Sequence, residues 1–159
     1  SWISGHTYVV EAINRSGHSV NHPETKPGPR QLWRVANNLP WNGTGNGADF
    51  ADPDGNGFVN LQEYFFGLAP GSPETLQAVI PHFDPFAHRF GLRYRKNPSA
   101  TDVAHRFLWK SDLADSTTSW SPVTVLEEVE TGTPFRRATI PVDPAQTKSF
   151  LKLEVTPNP

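Results

Sequence analysis

Period-two alternation dominates the second half of the chain. Phe90, Leu92 and Tyr94 alternate with Gly91, Arg93 and Arg95; Val123 and Val125 alternate with Thr124 and Leu126; Leu151, Leu153 and Val155 alternate with Lys152 and Glu154. Successive side chains of a strand point to opposite faces, so each run predicts a strand with one buried face. Between residues 74 and 157 at least six such runs are separated by turn signals. Short strands at that spacing predict an antiparallel sandwich. In its middle, Phe107 to Leu113 leads through a polar turn to Ser119-Trp120-Ser121-Pro122-Val123, and Trp120 is expected to anchor that turn in the core. About 80 residues can enclose one hydrophobic core, so this region is expected to fold on its own.

Upstream the period changes. Leu32, Val35, Ala36 and Leu39 share one face of a helix that begins at Gln31. A glycine-rich loop follows at Asn42 to Gly47, and a second short helix starts at Leu61-Gln62-Glu63-Tyr64 and ends at Gly67. The core of this unit is expected to be Leu32, Trp33, Val35, Leu39, Phe50, Val59, Leu61, Tyr64 and Phe65, too little to be stable at about 40 residues without a metal or a neighbour. At the N-terminus Tyr8, Val10 and Ala12 alternate with Val9, Glu11 and Ile13, a strand followed by a turn at Ser16-Gly17. Pro23, Pro27 and Pro29 then block regular structure and mark a linker. The chain therefore divides into a strand or hairpin over 1–22, a linker over 23–30, a helix-loop-helix unit over 31–73 and an antiparallel β-sandwich over 74–159. Its class is mainly β.

Composition adds mostly exclusions. With 16 Pro and 12 Gly in 159 residues the chain is loop-rich and strand-rich rather than a helical bundle. It has no cysteine, hence no disulfide framework and no indication of redox compartment. Methionine is absent even at position 1, so the chain is expected to be a piece of a longer protein, with any signal peptide on the remainder. A net charge of -2 and a pI near 6.3 give no electrostatic case for nucleic acid or an anionic membrane, and no apolar run approaches a membrane span. There is no Gly-x-Ser-x-Gly elbow, no His-Glu-x-x-His, no phosphate loop and no thiol nucleophile. The reading is of a non-catalytic module, with any catalysis left to domains upstream. Arg93, Arg95, Arg106 and Lys110 are candidates for a basic stripe across two paired strands, and five tryptophans raise the alternative of sugar stacking.

One segment carries specific chemistry. Residues 52 to 63 read Asp-Pro-Asp-Gly-Asn-Gly-Phe-Val-Asn-Leu-Gln-Glu, which places a suitable residue at every ligand position of a twelve-residue calcium loop. Calcium takes six to eight oxygen ligands. Asp52, Asp54 and Asn56 supply side-chain oxygens at positions one, three and five, Phe58 its backbone carbonyl at seven, and Glu63 a bidentate carboxylate at twelve. Gly57 at position six allows the sharp turn round the ion. Asn60 at position nine is expected to act directly or through water and to cap the helix that follows.

The order of these parts, a tryptophan-bearing helix, the segment from Ala51 to Pro70 and a stranded tail closing on Phe150 to Val155, resembles the C-terminal region of large secreted bacterial multidomain proteins over residues 31–157. The acidic loop is similar to dockerin and thrombospondin type 3 calcium repeats. Residues 7–17 resemble the penultimate strand of a fibronectin type III domain, with Tyr8 as its corner tyrosine. The resemblance implies an extracellular or cell-surface location, upstream domains of the same chain as partners, and Ca2+ as the cofactor. It departs from a dockerin in having one loop, since Asn42 to Asn46 lacks the carboxylates for a second, so cohesin binding is not expected. Asp49 is either an outer ligand or simply solvated. The leading expectation is a calcium-binding structural spacer; the alternative is a carbohydrate- or protein-binding sandwich that serves adhesion or substrate targeting.

Overall fold

The structure, a computed structural model, describes residues 11–13, 19–21, 26–71, 75–143, 145 and 148–158. It is mainly β. Strands β1 (Glu11–Ile13) and β2 (Ser19–Asn21) form an antiparallel hairpin with Ala12 opposite Val20, within the segment expected to hold a strand and a turn. Tyr8 lies outside the described residues.

Helix α1 (Pro29–Ala36) starts two residues ahead of the expected Gln31. Proline suits the first helical position, where its missing N–H has no intrahelical partner to lose. The face α1 turns inward is the reverse of its hydrophobic pattern. Leu32, Val35 and Ala36 are exposed, whereas Trp33 is half-buried and Arg34 buried. Trp33 donates its indole N–H to the Leu68 carbonyl at 3.0 Å and its ring meets Tyr64 at 5.7 Å, while Arg34 pairs with Asp49. One indole and a pair of ionic contacts, rather than the aliphatic stripe, orient this helix.

Seven strands form two antiparallel sheets, with a single turn of helix, α3 (Thr75–Ala78), leading into the first. One sheet has the order β3 (Val79–Asp84), β4 (Arg89–Arg95), β8 (Phe135–Pro141), β7 (Leu126–Val129); the other has β5 (Val103–Lys110) between β6 (Ser121–Pro122) and β9 (Phe150–Pro157). The chain changes sheet after β4, β6 and β8, and that alternation closes a sandwich around Tyr94, Phe107 and Ala138, with Leu151, Leu153 and Val155 packed against them. Gly91 is required where β4 and β8 meet, because a Cβ there would lie 1.8 Å from the Ala138 carbonyl oxygen. Val123 and Val125 lie in the irregular link between β6 and β7 rather than in a strand, yet both pack on the core, and the Val123 N–H reaches the Phe107 carbonyl at 3.0 Å.

The basic stripe does not form. Arg93 and Arg95 are on β4, Arg106 and Lys110 on β5, and those strands belong to different sheets; Lys110 is buried and donates to the Asp115 carbonyl. Trp109 and Trp120 are both half-buried, the latter with the Lys152 ammonium 5.7 Å from its ring. Among the described residues no helix is long and apolar enough to cross a membrane.

The helical unit, expected to need a metal or a neighbour, has the sandwich as its neighbour. Helix α2 (Asn60–Phe66) does not pair with α1 in a core of their own but enters the sandwich: Phe65, Phe66 and the following Leu68 belong to the same buried cluster as Tyr94, Phe107 and Ala138. Phe65 is fully buried and stacks on Tyr94 at 6.2 Å with an interplanar angle of 12°. The carbonyls of the last turn of α2 are met from the sandwich side, where Asn97 donates its backbone N–H to Phe65 at 2.8 Å and its amide to Tyr64 at 3.1 Å. Of the core expected for a separate helical unit, Leu61, Tyr64 and Phe65 are buried, Trp33, Leu39 and Val59 half-buried, and Leu32, Val35 and Phe50 exposed. Three consecutive aromatic residues, Tyr64-Phe65-Phe66, have more apolar surface than two short helices can cover, and the open sandwich covers it.

Candidate metal centre

The loop from Asp52 to Glu63 is wound around its first carboxylate. Asp52 accepts the Gly55 and Asn56 N–H groups on Oδ1 at 2.9 and 3.2 Å and the Gly57 N–H on Oδ2 at 2.9 Å. These amides hold its pKa below the usual carboxylate range, the Gly57 bond contributing most. Gly57 takes φ +90, a conformation that a side chain at this position would strain.

Asn56 lies between the remaining acids. Its amide nitrogen donates to Asp54 Oδ2 at 2.8 Å and to Glu63 Oε1 at 3.2 Å, and its amide oxygen accepts the Phe58 N–H at 2.8 Å. Asn56 thus presents nitrogen, not the expected oxygen, to the space the two carboxylates share. A neutral N–H donor is the best partner the sequence offers between two like charges. For Asn56 to serve as an oxygen ligand its carboxamide has to turn over and release Phe58. The Phe58 ring meets Phe66 at 5.7 Å and is packed against the core, which fixes the far side of the loop to α2.

Glu63 is the unusual group. It is fully buried, and its Oε2 has no hydrogen-bond partner. Burial raises its pKa, and the charges of Asp54 and Asp52 push the same way against the opposing Asn56 bond. Burying an ionised oxygen without a partner is costly, and most native buried polar atoms are satisfied. Among the described residues no three His, Cys, Asp or Glu side chains converge closely enough to form a ready metal group. Asn56, interposed between Asp54 and Glu63, accounts for their separation. The donor set still fits a hard cation: three carboxylates, an amide and a backbone carbonyl within twelve residues, one carboxylate oxygen being buried and unpartnered.

Asn60 departs from the capping role expected of it. It does not cap α2, which begins at Asn60 itself, while the preceding Val59 N–H is met by Gln62 Oε1 at 3.1 Å. Its amide nitrogen donates to the Asn46 and Ala48 carbonyls at 2.7 and 2.8 Å, while its amide oxygen is buried without a partner. Asn46 lies in a single 3-10 turn at Gly45–Gly47 and Ala48 follows it, so no strand ladder meets these carbonyls and the buried amide supplies donors to them. Asp49 is paired rather than simply solvated: Arg30 Nη1 lies 2.9 Å from its Oδ2 and Arg34 pairs with its Oδ1. The signal was present in the sequence, since Arg30 and Arg34 stand one helical turn apart and share a face.

Sequence reasoning also missed a polar cluster between the sheets. Tyr94 donates its hydroxyl to Glu127 Oε1 at 2.6 Å, Arg136 Nη1 lies 2.9 Å from the same oxygen, and His105 Nε2 from the other sheet lies 3.7 Å from Oε2. Burial depresses the pKa of His105, aided by the Lys96 charge, and pushes that of the Tyr94 hydroxyl far up. Of the neighbouring acids Glu127, Glu128 and Glu130, only Glu128 is exposed. No family model, no curated protein and no solved structure matches this chain.

Proposed function

We propose that the chain is a non-catalytic, calcium-binding structural module of a secreted or cell-surface multidomain protein. The observation that carries the reading is Glu63: a fully buried carboxylate with one unpartnered oxygen, one residue before the aromatic run that fills the sandwich. Asp52, Asp54, Asn56, the Phe58 carbonyl and Glu63 would hold the ion, which supplies the positive charge these carboxylates lack. Because α2 belongs to the sandwich core, calcium fastens the loop onto the sandwich. That differs from a joint between two independently folded units.

Three carboxylates suit the weak affinities of extracellular modules, about 10⁻⁴ to 10⁻³ M. Binding of that strength at about 10 mM calcium stabilises the folded state by about 1.4–2.7 kcal/mol. For a chain of this size the melting temperature should rise by roughly 3–10 °C over a chelator-treated sample. An unchanged melt at that concentration sinks the proposal. Polysaccharide recognition by tryptophan faces has thinner support, since Trp109 and Trp120 are half-buried rather than exposed.

A further inference from the structure

We infer that calcium affinity is set by a clamp outside the ion's ligands, in which Asn60 and Asp49 are positioning residues and Asn60 is not a ligand. The inference rests on the calcium reading above. Two backbone bonds pin the incoming arm of the loop to its exit helix: Asn60 N–H to the Ala51 carbonyl and Leu61 N–H to the Asp49 carbonyl, each at 2.9 Å. The Asn60 amide extends that grip further up the same arm, to Asn46 and Ala48, from a side chain only 1 % exposed.

The Asp49 side chain then ties this arm to α1 through Arg30 and Arg34. Arg30 continues to the sandwich, its Nε 3.5 Å from Asp102 Oδ2, and Tyr64 on α2 donates its hydroxyl to Asp102 Oδ1 at 2.7 Å. The path from the incoming arm through α1 and Asp102 to α2 and back to the arm is closed. Both ends of the ligand loop are therefore fixed by contacts that never touch the ligands. A loop whose ends are held loses less conformational freedom when its ligands order, so the clamp raises affinity by preorganisation. Outer partners of metal ligands change metal affinity by about 10- to 100-fold when removed.

Asn60 separates this reading from the ordinary one by sign. If position nine supplied a ligand, Asn60→Asp would add a negative charge and tighten binding. An aspartate cannot donate to the Asn46 and Ala48 carbonyls, so the clamp requires weakening instead. Calcium titration calorimetry, paired with melts in chelator, should be run on the wild-type chain and on Asn60→Asp, Asp49→Asn and Glu130→Gln. Glu130 pairs with Arg93 at 2.8 Å on the far sheet and controls for a general loss of stability. A rise in Kd of about tenfold or more in both clamp variants, with Kd unchanged in Glu130→Gln, is the result expected. Tighter or equal binding by Asn60→Asp overturns the inference. If that buried substitution fails to fold, Asp49→Asn decides, and an unchanged Kd in that variant is equally fatal. A wild-type chain that takes up no calcium defeats the calcium reading itself, a result distinct from clamp variants that bind normally.

Discussion

Two glutamates, one half-buried and one fully buried, occupy opposite situations in this molecule. Glu127 lies between the sheets with a tyrosine hydroxyl, a guanidinium and an imidazole around it, whereas Glu63 lies at the base of the loop with one amide donor and an orphaned oxygen. Their proton affinities diverge accordingly. Burial alone raises both, but the Tyr94 and Arg136 bonds bring Glu127 below the usual carboxylate range, while nothing comparable opposes the rise at Glu63. A carboxylate whose partners are all supplied by the fold is part of the fold. One whose partner the fold withholds is a candidate for a site.

The comparison breaks first at Glu127. Glu127→Ala strips Tyr94 and Arg136 of their acceptor inside the sandwich and should lower stability by about 2–3 kcal/mol in urea unfolding, equally with calcium or chelator present. If calcium restores any of that loss, the two acids are not separate in function.

Glu63→Gln should give a smaller effect whose sign depends on calcium. In chelator the substitution removes an unpaired buried charge and keeps the acceptor for Asn56, so stability should hold or rise by about 1 kcal/mol. In calcium the same variant should lack the wild-type rise in melting temperature. A variant that melts lower than wild type in chelator shows that the Glu63 carboxylate is satisfied as it stands.

Acidification sharpens the contrast further. The folded pKa of Glu63 is raised, so its contribution is complete below the unfolded value of 4.5 and is lost as pH rises through the folded value. His105 behaves oppositely: its folded pKa is depressed, so its contribution is present above the unfolded 6.5 and is lost as pH falls toward the folded value. In chelator, therefore, wild type and Glu63→Gln should converge in stability near pH 4.5 and separate toward pH 7.5. His105→Gln should narrow the acid sensitivity between pH 6.5 and 5. Parallel melts of all three chains across that range are the check.

The same contrast explains what could be read along the chain. The strands of the sandwich were legible because apolar positions at period two leave few choices, and the turn at Gly57 because its residue pattern prescribes a glycine there. The direction of α1 was not legible. Its aliphatic stripe is real, but Trp33 and Arg34 face inward because their partners, Leu68 and Asp49, come from elsewhere in the chain. The clamp contacts of Asn60 were not legible for a related reason. Its place in the loop pattern says ligand, while its bonds go to Asn46 and Ala48, outside the pattern. Glu127 offered no local signal, since its neighbours arrive from β4, β5 and β8.

The smallest effect belongs to a third glutamate, and it bounds the other two. Glu154 on β9 accepts from Arg106 Nε at 2.6 Å, as short as the Tyr94 bond to Glu127, and from Lys152 Nζ at 3.3 Å, and these partners lower its pKa. Judged by distance alone it would rank beside Glu127. Its partner decides otherwise, because the Arg106 side chain is 61 % exposed and water screens the pair while both long chains lose rotamer freedom to hold it. Arg106→Gln should change stability by no more than about 0.5 kcal/mol, and that little should shrink in 1 M salt. A loss approaching that of Glu127→Ala would mean that contact geometry rather than the burial of the partners ranks these acids. The case for Glu63 as a site, which depends on burial without a partner, would then lose its footing.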